Sequence, residues 1–291
     1  MTISSPAPFQ GLLSAFRLWH ADIQSKIPAL AKTGTRPARG QVTLLGAGPG
    51  AADLISLRGM RALQAADVIF YDGLADAALL DFAKLGARKI SVGKAPGNHS
   101  QSQAQINALL VTAALQGLRV VRLKCGDPGI FGRGAEEAEA LDAAGICWDI
   151  IPGVTAACAA AASARSFLTE RGKTERVVFA TGHRRAGEVS DWSACASPGT
   201  TLACYMGVST SGELQSGLLA AGWPASCAVE VISKAQTAQE RVLHGRLDGL
   251  EGLCSSEKPL NPAILLIRWP AEQRGAALEA SRQLAFELGA V

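Results

Sequence analysis

Three glycine-rich turns carry the strongest chemical signal in this sequence. The first, Leu45-Gly-Ala-Gly-Pro-Gly50, follows an apolar run and precedes a stretch of helical spacing. Glycines let a ligand come close to the backbone, and a dinucleotide site is one reading of such a turn. That motif wants G-x-G-x-x-G, whereas here the glycines fall at 46, 48 and 50, and Pro49 removes an N–H that would cradle a pyrophosphate. Asp72 closes the next apolar run, where a ribose-binding acid would lie, so a nicotinamide-dependent oxidoreductase is a rival and a plain tight turn another. The second turn runs from Arg122 to Gly134, with glycines at 126, 129, 132 and 134 and Asp127-Pro128 fixing its bend. Glu136 and Glu137 follow it and suit the start of a helix electrostatically. The third, Ile151-Pro-Gly-Val-Thr-Ala-Ala157, leads into a run of small residues. Alone, each is only a turn. Together, at the carboxyl ends of strands, they predict one crevice of the kind where open α/β sheets bind ligands.

The elements that must position these turns are short and regular. Strands are predicted at 42–45, 68–71, 89–92, 119–123 and 148–151, alternating with helices at 56–65, 77–85, 103–116 and 134–144. That rhythm predicts an α/β fold with a mainly parallel sheet covered on both faces. The second half differs. Strands at 177–180, 201–205, 228–232, 241–244 and 263–267 are separated by one clear helix at 211–221 and a turn near 247–254, which predicts a mixed sheet. The expected organisation is an N-terminal extension and linker at 1–40, α/β domains at 41–153 and 154–270, and a tail helix at 271–291. Within the extension, 12–19 reads as a short amphipathic helix. The small-residue run after Pro152 should start a helix that packs closely on both halves.

Composition narrows the classes. Hydrophobic residues make up 48% of the 291 and charged residues 18%, enough for a sizeable core and against disorder as the bulk state. Lys and Arg number 28 against 25 acidic residues, a net +3 that suits anionic ligands but is too small and dispersed for a nucleic-acid binder. Seven cysteines without C-x-x-C spacing read as reduced thiols, with Cys147, Cys204 and Cys227 in buried contexts, and the four scattered histidines suggest no metal site. No run is long and apolar enough to span a membrane, and no secretory signal is seen, so the expected compartment is the cytoplasm.

The sequence resembles the tetrapyrrole methyltransferase family over about residues 41–268. The resemblance is carried by VTLLGAGPGAADLISLRG (42–59), YDGL (71–74), VGKAPGNHSQSQAQIN (92–107), VVRLKCGDPGIFGRGAEE (120–137), IIPGVTAA (150–157), FATGH (179–183) and YMG (205–207). It implies two α/β domains with S-adenosylmethionine between them, usually in a homodimer. It also implies methyl transfer to ring carbons C2 and C7 of uroporphyrinogen III, giving precorrin-2 and S-adenosylhomocysteine. Methylation of another precorrin, a weakened paralogue and a non-catalytic tetrapyrrole carrier are the alternatives. By resemblance, cofactor contacts fall on Pro49, Cys125, Gly126, Asp127, Ile130, Thr155, Ala156, Met206 and Ala235. Asp72 matches the proton acceptor and Lys94 the proton donor.

A substrate bearing many carboxylates needs cations at the mouth of its cleft. Arg122, Lys124, Arg133 and Arg171 are the leading candidates, with Arg165, Lys173, Arg176, Arg184 and Arg185 behind them. Each residue also has a plainer reading: Asp72 as a turn cap, Lys94 and His99 as solvated loop residues, Met206 as core, any single arginine as surface charge. Three positions depart from the family's pattern: Cys125 replaces a glycine, Gly129 a phenylalanine and Gly73 an arginine. Leu168-Thr-Glu-Arg-Gly172 also stands where L-T-H-R-D is usual.

Overall fold

The structure, a computed structural model, describes residues 40–93, 101–183 and 191–271. The predicted helix at 12–19, most of the linker and all but Ala271 of the tail helix lie outside these residues, as do Lys94, His99, Arg184 and Arg185.

Among the described residues, ten strands form two five-stranded sheets. In the first, β1 (Gln41–Gly46), β2 (Val68–Tyr71), β3 (Arg88–Ser91), β4 (Arg119–Lys124) and β5 (Cys147–Ile151) run in the order β3-β2-β4-β1-β5, every pair parallel. Alternation along the strands sorts their side chains into two layers. Val42, Leu44, Val68, Phe70 and Val120 face α2 (Gln103–Leu115) and α3 (Gly134–Ala143). Leu45, Ile69, Val121, Leu123 and Ile151 face α1 (Leu57–Ala65) and a 3₁₀ segment at Ala77–Phe82. An α-helix was expected over 77–85. Instead the chain turns extended at Ala83, and the six capped residues after Asp76 bury neighbouring Leu79 and Leu80 in tighter turns.

The second sheet contains β6 (Arg176–Thr181), β7 (Thr200–Tyr205), β8 (Ala228–Ser233), β9 (Arg241–Arg246) and β10 (Ala263–Trp269), ordered β6-β7-β10-β8-β9. Only β6 and β7 pair in parallel; the other three pairs are antiparallel, as the mixed-sheet expectation requires. One face packs on α5 (Ser211–Ala220) and α6 (Leu250–Glu257) through Leu202, Leu214, Leu218, Leu250 and Leu265. Helix α6 stands where the sequence suggested only a turn. Gly252, Ser255 and Ser256 are weak helix formers, but Leu250 and Cys254, four apart, are both buried, so packing overrides propensity. The other face is covered by the alanines of α4 (Ala156–Ser163), which touch Ala203, Tyr205, Ile232 and Ile264.

None of the seven cysteines, all within the described residues, is in a disulfide. Cys204 and Cys227 are buried, but Cys147 is exposed because it opens β5, an edge strand whose outer residues are uncovered. No helix of the described residues is long and apolar enough to cross a membrane.

Candidate functional site

The strand register brings the ends of β1, β4 and β5 level, with Gly46 opposite Lys124 and Leu45 opposite Ile151. The three glycine-rich turns therefore leave the same edge side by side. Gly48 and Gly126 exchange two backbone hydrogen bonds, of 3.2 and 2.8 Å. A side chain at Gly46 would lie 2.5 Å from the Gly153 nitrogen and 2.7 Å from the Gly126 carbonyl oxygen, so backbone packs directly on backbone there. Asp127 fastens the third turn to the second: its carboxylate accepts from Gly153 N at 3.0 Å and from Gly129 N at 2.8 Å. The first turn also meets the second sheet's loops, since a side chain at Gly50 would lie 2.5 Å from the Ala235 carbonyl oxygen.

These turns border a hollow of about 1050 Å³, at the upper end of the range for small-molecule sites. Its lining includes Pro49, Asp72, Cys125, Gly126, Asp127, Ile130, Thr155, Ala156, Met206 and Ala235, together with Arg122, Lys124 and Arg133. Arg171 is not in that lining; it sits exposed in a tight turn closed by the Glu170–Thr174 bridge. Lys94 lies outside the described residues.

The helix starts also bear on the dinucleotide reading. Helix α1 begins only at Leu57, and the Ser56 hydroxyl accepts from Gly59 N at 3.0 Å. A separate 3₁₀ turn at Ala52–Leu54 intervenes, so the first glycine turn does not open onto a helix N-terminus as a pyrophosphate site requires.

Arg122 and Lys124 do not stand as open cations at a mouth. Both are buried. Arg122 donates to Asp72 Oδ1 at 2.6 Å, to Glu137 Oε1 at 3.0 Å and to the Leu123 carbonyl at 3.1 Å. Lys124 Nζ donates to both Glu137 oxygens, at 3.0 and 2.9 Å. Burial and the neighbouring Arg122 charge push the Lys124 ammonium's pKa down, against the pull of Glu137. Two cations and two anions cancel, which is how such charges tolerate burial. Glu137 thus does far more than favour a helix start: it is fully buried and pairs with both cations. Arg133 is exposed and pairs bidentately with Glu136 at 2.7 Å.

The sequence reading gives no site role to Glu137, Tyr205, Phe131 or His183, the last three of which line the hollow. The Tyr205 hydroxyl lies 2.6 Å from Thr155 Oγ1 and accepts from Ala157 N at 3.2 Å, tying the second sheet to the third turn. Burial raises the pKa of that phenol, and Phe131 leans on its ring at a centroid distance of 4.9 Å. Met206 is half-exposed in the hollow rather than core, with φ at 55°. Phe131 and Arg133 hold φ of 49° and 57°, while Lys234 and Gln236, at 51° and 62°, flank Ala235. Non-glycine residues in this region cost about 1–3 kcal/mol each and cluster at functional sites. Cys125 is mostly covered, and burial followed by the Asp72 charge pushes its thiol up to about 11, far from the range of a reactive thiolate.

The family model for tetrapyrrole (corrin/porphyrin) methylases matches residues 41–251, and the chain belongs to that family. Uroporphyrinogen-III C-methyltransferase of Paracoccus denitrificans is 46% identical over 230 residues, covering 78% of this chain and 80% of that protein. Siroheme synthase of Zymomonas mobilis is 43% identical over 262 residues, covering 89% of this chain and 55% of that protein. This chain spans about half the length of the siroheme synthases it matches. Among solved structures, uroporphyrin-III C-methyl transferase of Thermus thermophilus, complexed with S-adenyl homocysteine, superposes with a TM-score of 0.68 at 32% identity, covering 79% of this chain and 92% of that one.

Proposed function

We propose that the chain is an S-adenosylmethionine-dependent C-methyltransferase that methylates uroporphyrinogen III at ring carbons C2 and C7, giving precorrin-2 and S-adenosylhomocysteine. The observation that carries this reading is the meeting of three glycine-rich turns and Asp72 around one hollow between the sheets. The names of the Paracoccus and Thermus relatives, and the S-adenyl homocysteine held by the latter, support it. On this reading the working unit is a cytoplasmic homodimer, with each protomer divided at about residue 153.

The residues present suit the cofactor. Pro49, Ile130, Ala156, Met206 and Ala235 offer an apolar wall, and Gly126 and Asp127 offer backbone and a carboxylate. Because Arg122 and Lys124 are already neutralised, the hollow does not repel a positively charged sulfonium. When bound, S-adenosylmethionine supplies an electrophilic methyl group. The turns would orient cofactor and substrate against each other, and such positioning provides most of the catalysis in a displacement of this kind. Asp72 would stabilise the positive charge that develops on the attacked pyrrole and take the proton the product sheds. Arg133, at the hollow's rim, and Arg171 are then the candidates for meeting substrate carboxylates.

The test is an anaerobic incubation with uroporphyrinogen III and S-adenosylmethionine. The expected result is the precorrin-2 chromophore, read after oxidation to sirohydrochlorin. No chromophore from folded protein that binds S-adenosylhomocysteine would remove uroporphyrinogen III as the substrate.

A further inference from the structure

Glu137 sits on the first turn of α3, under the carboxyl end of β4, and is fully buried. Positions 120, 122 and 124 of β4 alternate onto the face that α3 covers, so Arg122 and Lys124 both point at this carboxylate. The helix is itself held in place. Asn107 on α2 donates to the Glu136 carbonyl at 3.0 Å, and Gln103 donates to Glu137 Oε1 at 3.3 Å. The Arg122 guanidinium then spans two carboxylates, with Nε on Glu137 and Nη2 on Asp72. Its planar fork converts the place of one acid into the place of the other. Of the two acids, only Asp72 lines the hollow.

We infer that Glu137 is a positioning residue: acting through Arg122, it holds the Asp72 carboxylate where the reacting ring carbon must come. This rests on the C-methyltransferase reading and on the role given there to Asp72. Without the Glu137 charge, Asp72 becomes the sole counterion of two buried cations. It is drawn inward, away from the substrate, while the turns that receive the cofactor stay as they are.

The test is a double-variant cycle in the anaerobic assay, with S-adenosylhomocysteine affinity measured by calorimetry. Glu137→Gln should lower kcat roughly 10- to 100-fold, the scale of an ångström-sized misplacement. The KM for S-adenosylmethionine and the affinity for S-adenosylhomocysteine should stay within about twofold. In an Asp72→Asn background, Glu137→Gln should lower kcat no further, because the effect passes through Asp72. Glu137→Asp keeps the charge but ends one methylene short, and it runs the same cycle if the amide variant does not fold. The proposal is overturned by losses that add in the Asp72→Asn background, by unchanged kcat in a folded Glu137 variant, or by cofactor affinity falling in step with kcat. Parent-like turnover from Asp72→Asn alone overturns it as well, by removing Asp72 from the mechanism. A parent protein that methylates nothing fails the underlying reading instead, and that outcome is distinguishable because no variant enters into it.

Discussion

Each half of the molecule contains a carboxylate–guanidinium cluster, and the two are put to different uses. In the first half, Asp72, Arg122, Glu137 and Lys124 lie at the carboxyl end of a parallel sheet, and all but the buried Glu137 line the hollow. In the second, Arg268 on β10 pairs with Glu230 on β8 at 2.9 Å and donates to Ser166 Oγ at 2.8 Å and the Phe167 carbonyl at 3.4 Å. Ser166 in turn donates to Glu230 at 2.9 Å. None of these residues lines the hollow; they clamp the segment after α4 onto the second sheet. Similar pairing chemistry aims a side chain in one place and fastens the backbone in another. The difference lies in what the sheets leave open. Parallel strands end together and present their last residues to a ligand, whereas the antiparallel pairs of the second sheet send neighbouring ends in opposite directions.

Variants in the two clusters should therefore fail differently. The largest effect is expected at Asp72→Ala, which should slow methylation about 10²- to 10⁴-fold, the usual worth of a proton-transfer group. Calorimetry should find cofactor affinity nearly unchanged; loss of binding in parallel would place Asp72 with the fastening residues. Next comes Arg268→Ala, which strands a mostly buried Glu230 and should remove about 1–3 kcal/mol of stability. Thermal melting should fall while kcat per folded molecule holds, and a kcat loss would erase the contrast between the clusters.

The smallest effect compares one thiol from each half. Burial pushes both Cys125 and Cys227 up to about 11. Below pH 9 such thiols are neutral whether the chain is folded or unfolded, so stability is intact. Between 9 and about 11 the unfolded chain loses the proton first, and stability falls as pH climbs through that window. Alkylation followed by mass spectrometry should label exposed Cys147 and Cys158 near neutral pH and the two covered thiols only in strong alkali. Bound S-adenosylhomocysteine should slow Cys125 alone, since Cys227 lies in the second half's core.

Much of this was legible in the sequence because parallel strands are short apolar runs closed by turn residues. The predicted strand at 68–71 coincides with β2, and the three glycine turns meet as their positions implied. The cation assignments read less well. Charge alone makes Arg122 and Lys124 read as substrate contacts. Their spacing carried the missing signal: cations two apart in an apolar strand share a face, and the helix covering that face must supply an anion. Glu137 was that anion, hidden in a pair that also suits a helix start. Met206 is ambiguous in the sequence, and Tyr205 carries no site signal there, for another reason. Their placement depends on how the second sheet stands against the first, a long-range relation that local pattern does not encode.

The left-handed residues around the hollow bear on how this protein would respond to laboratory evolution. Phe131, Arg133 and Met206 would each be more comfortable as glycine or asparagine. A library screened only for heat resistance should accumulate those replacements there, trading a well-shaped rim for a sturdier chain. A library screened for product should keep the bulky originals and improve elsewhere.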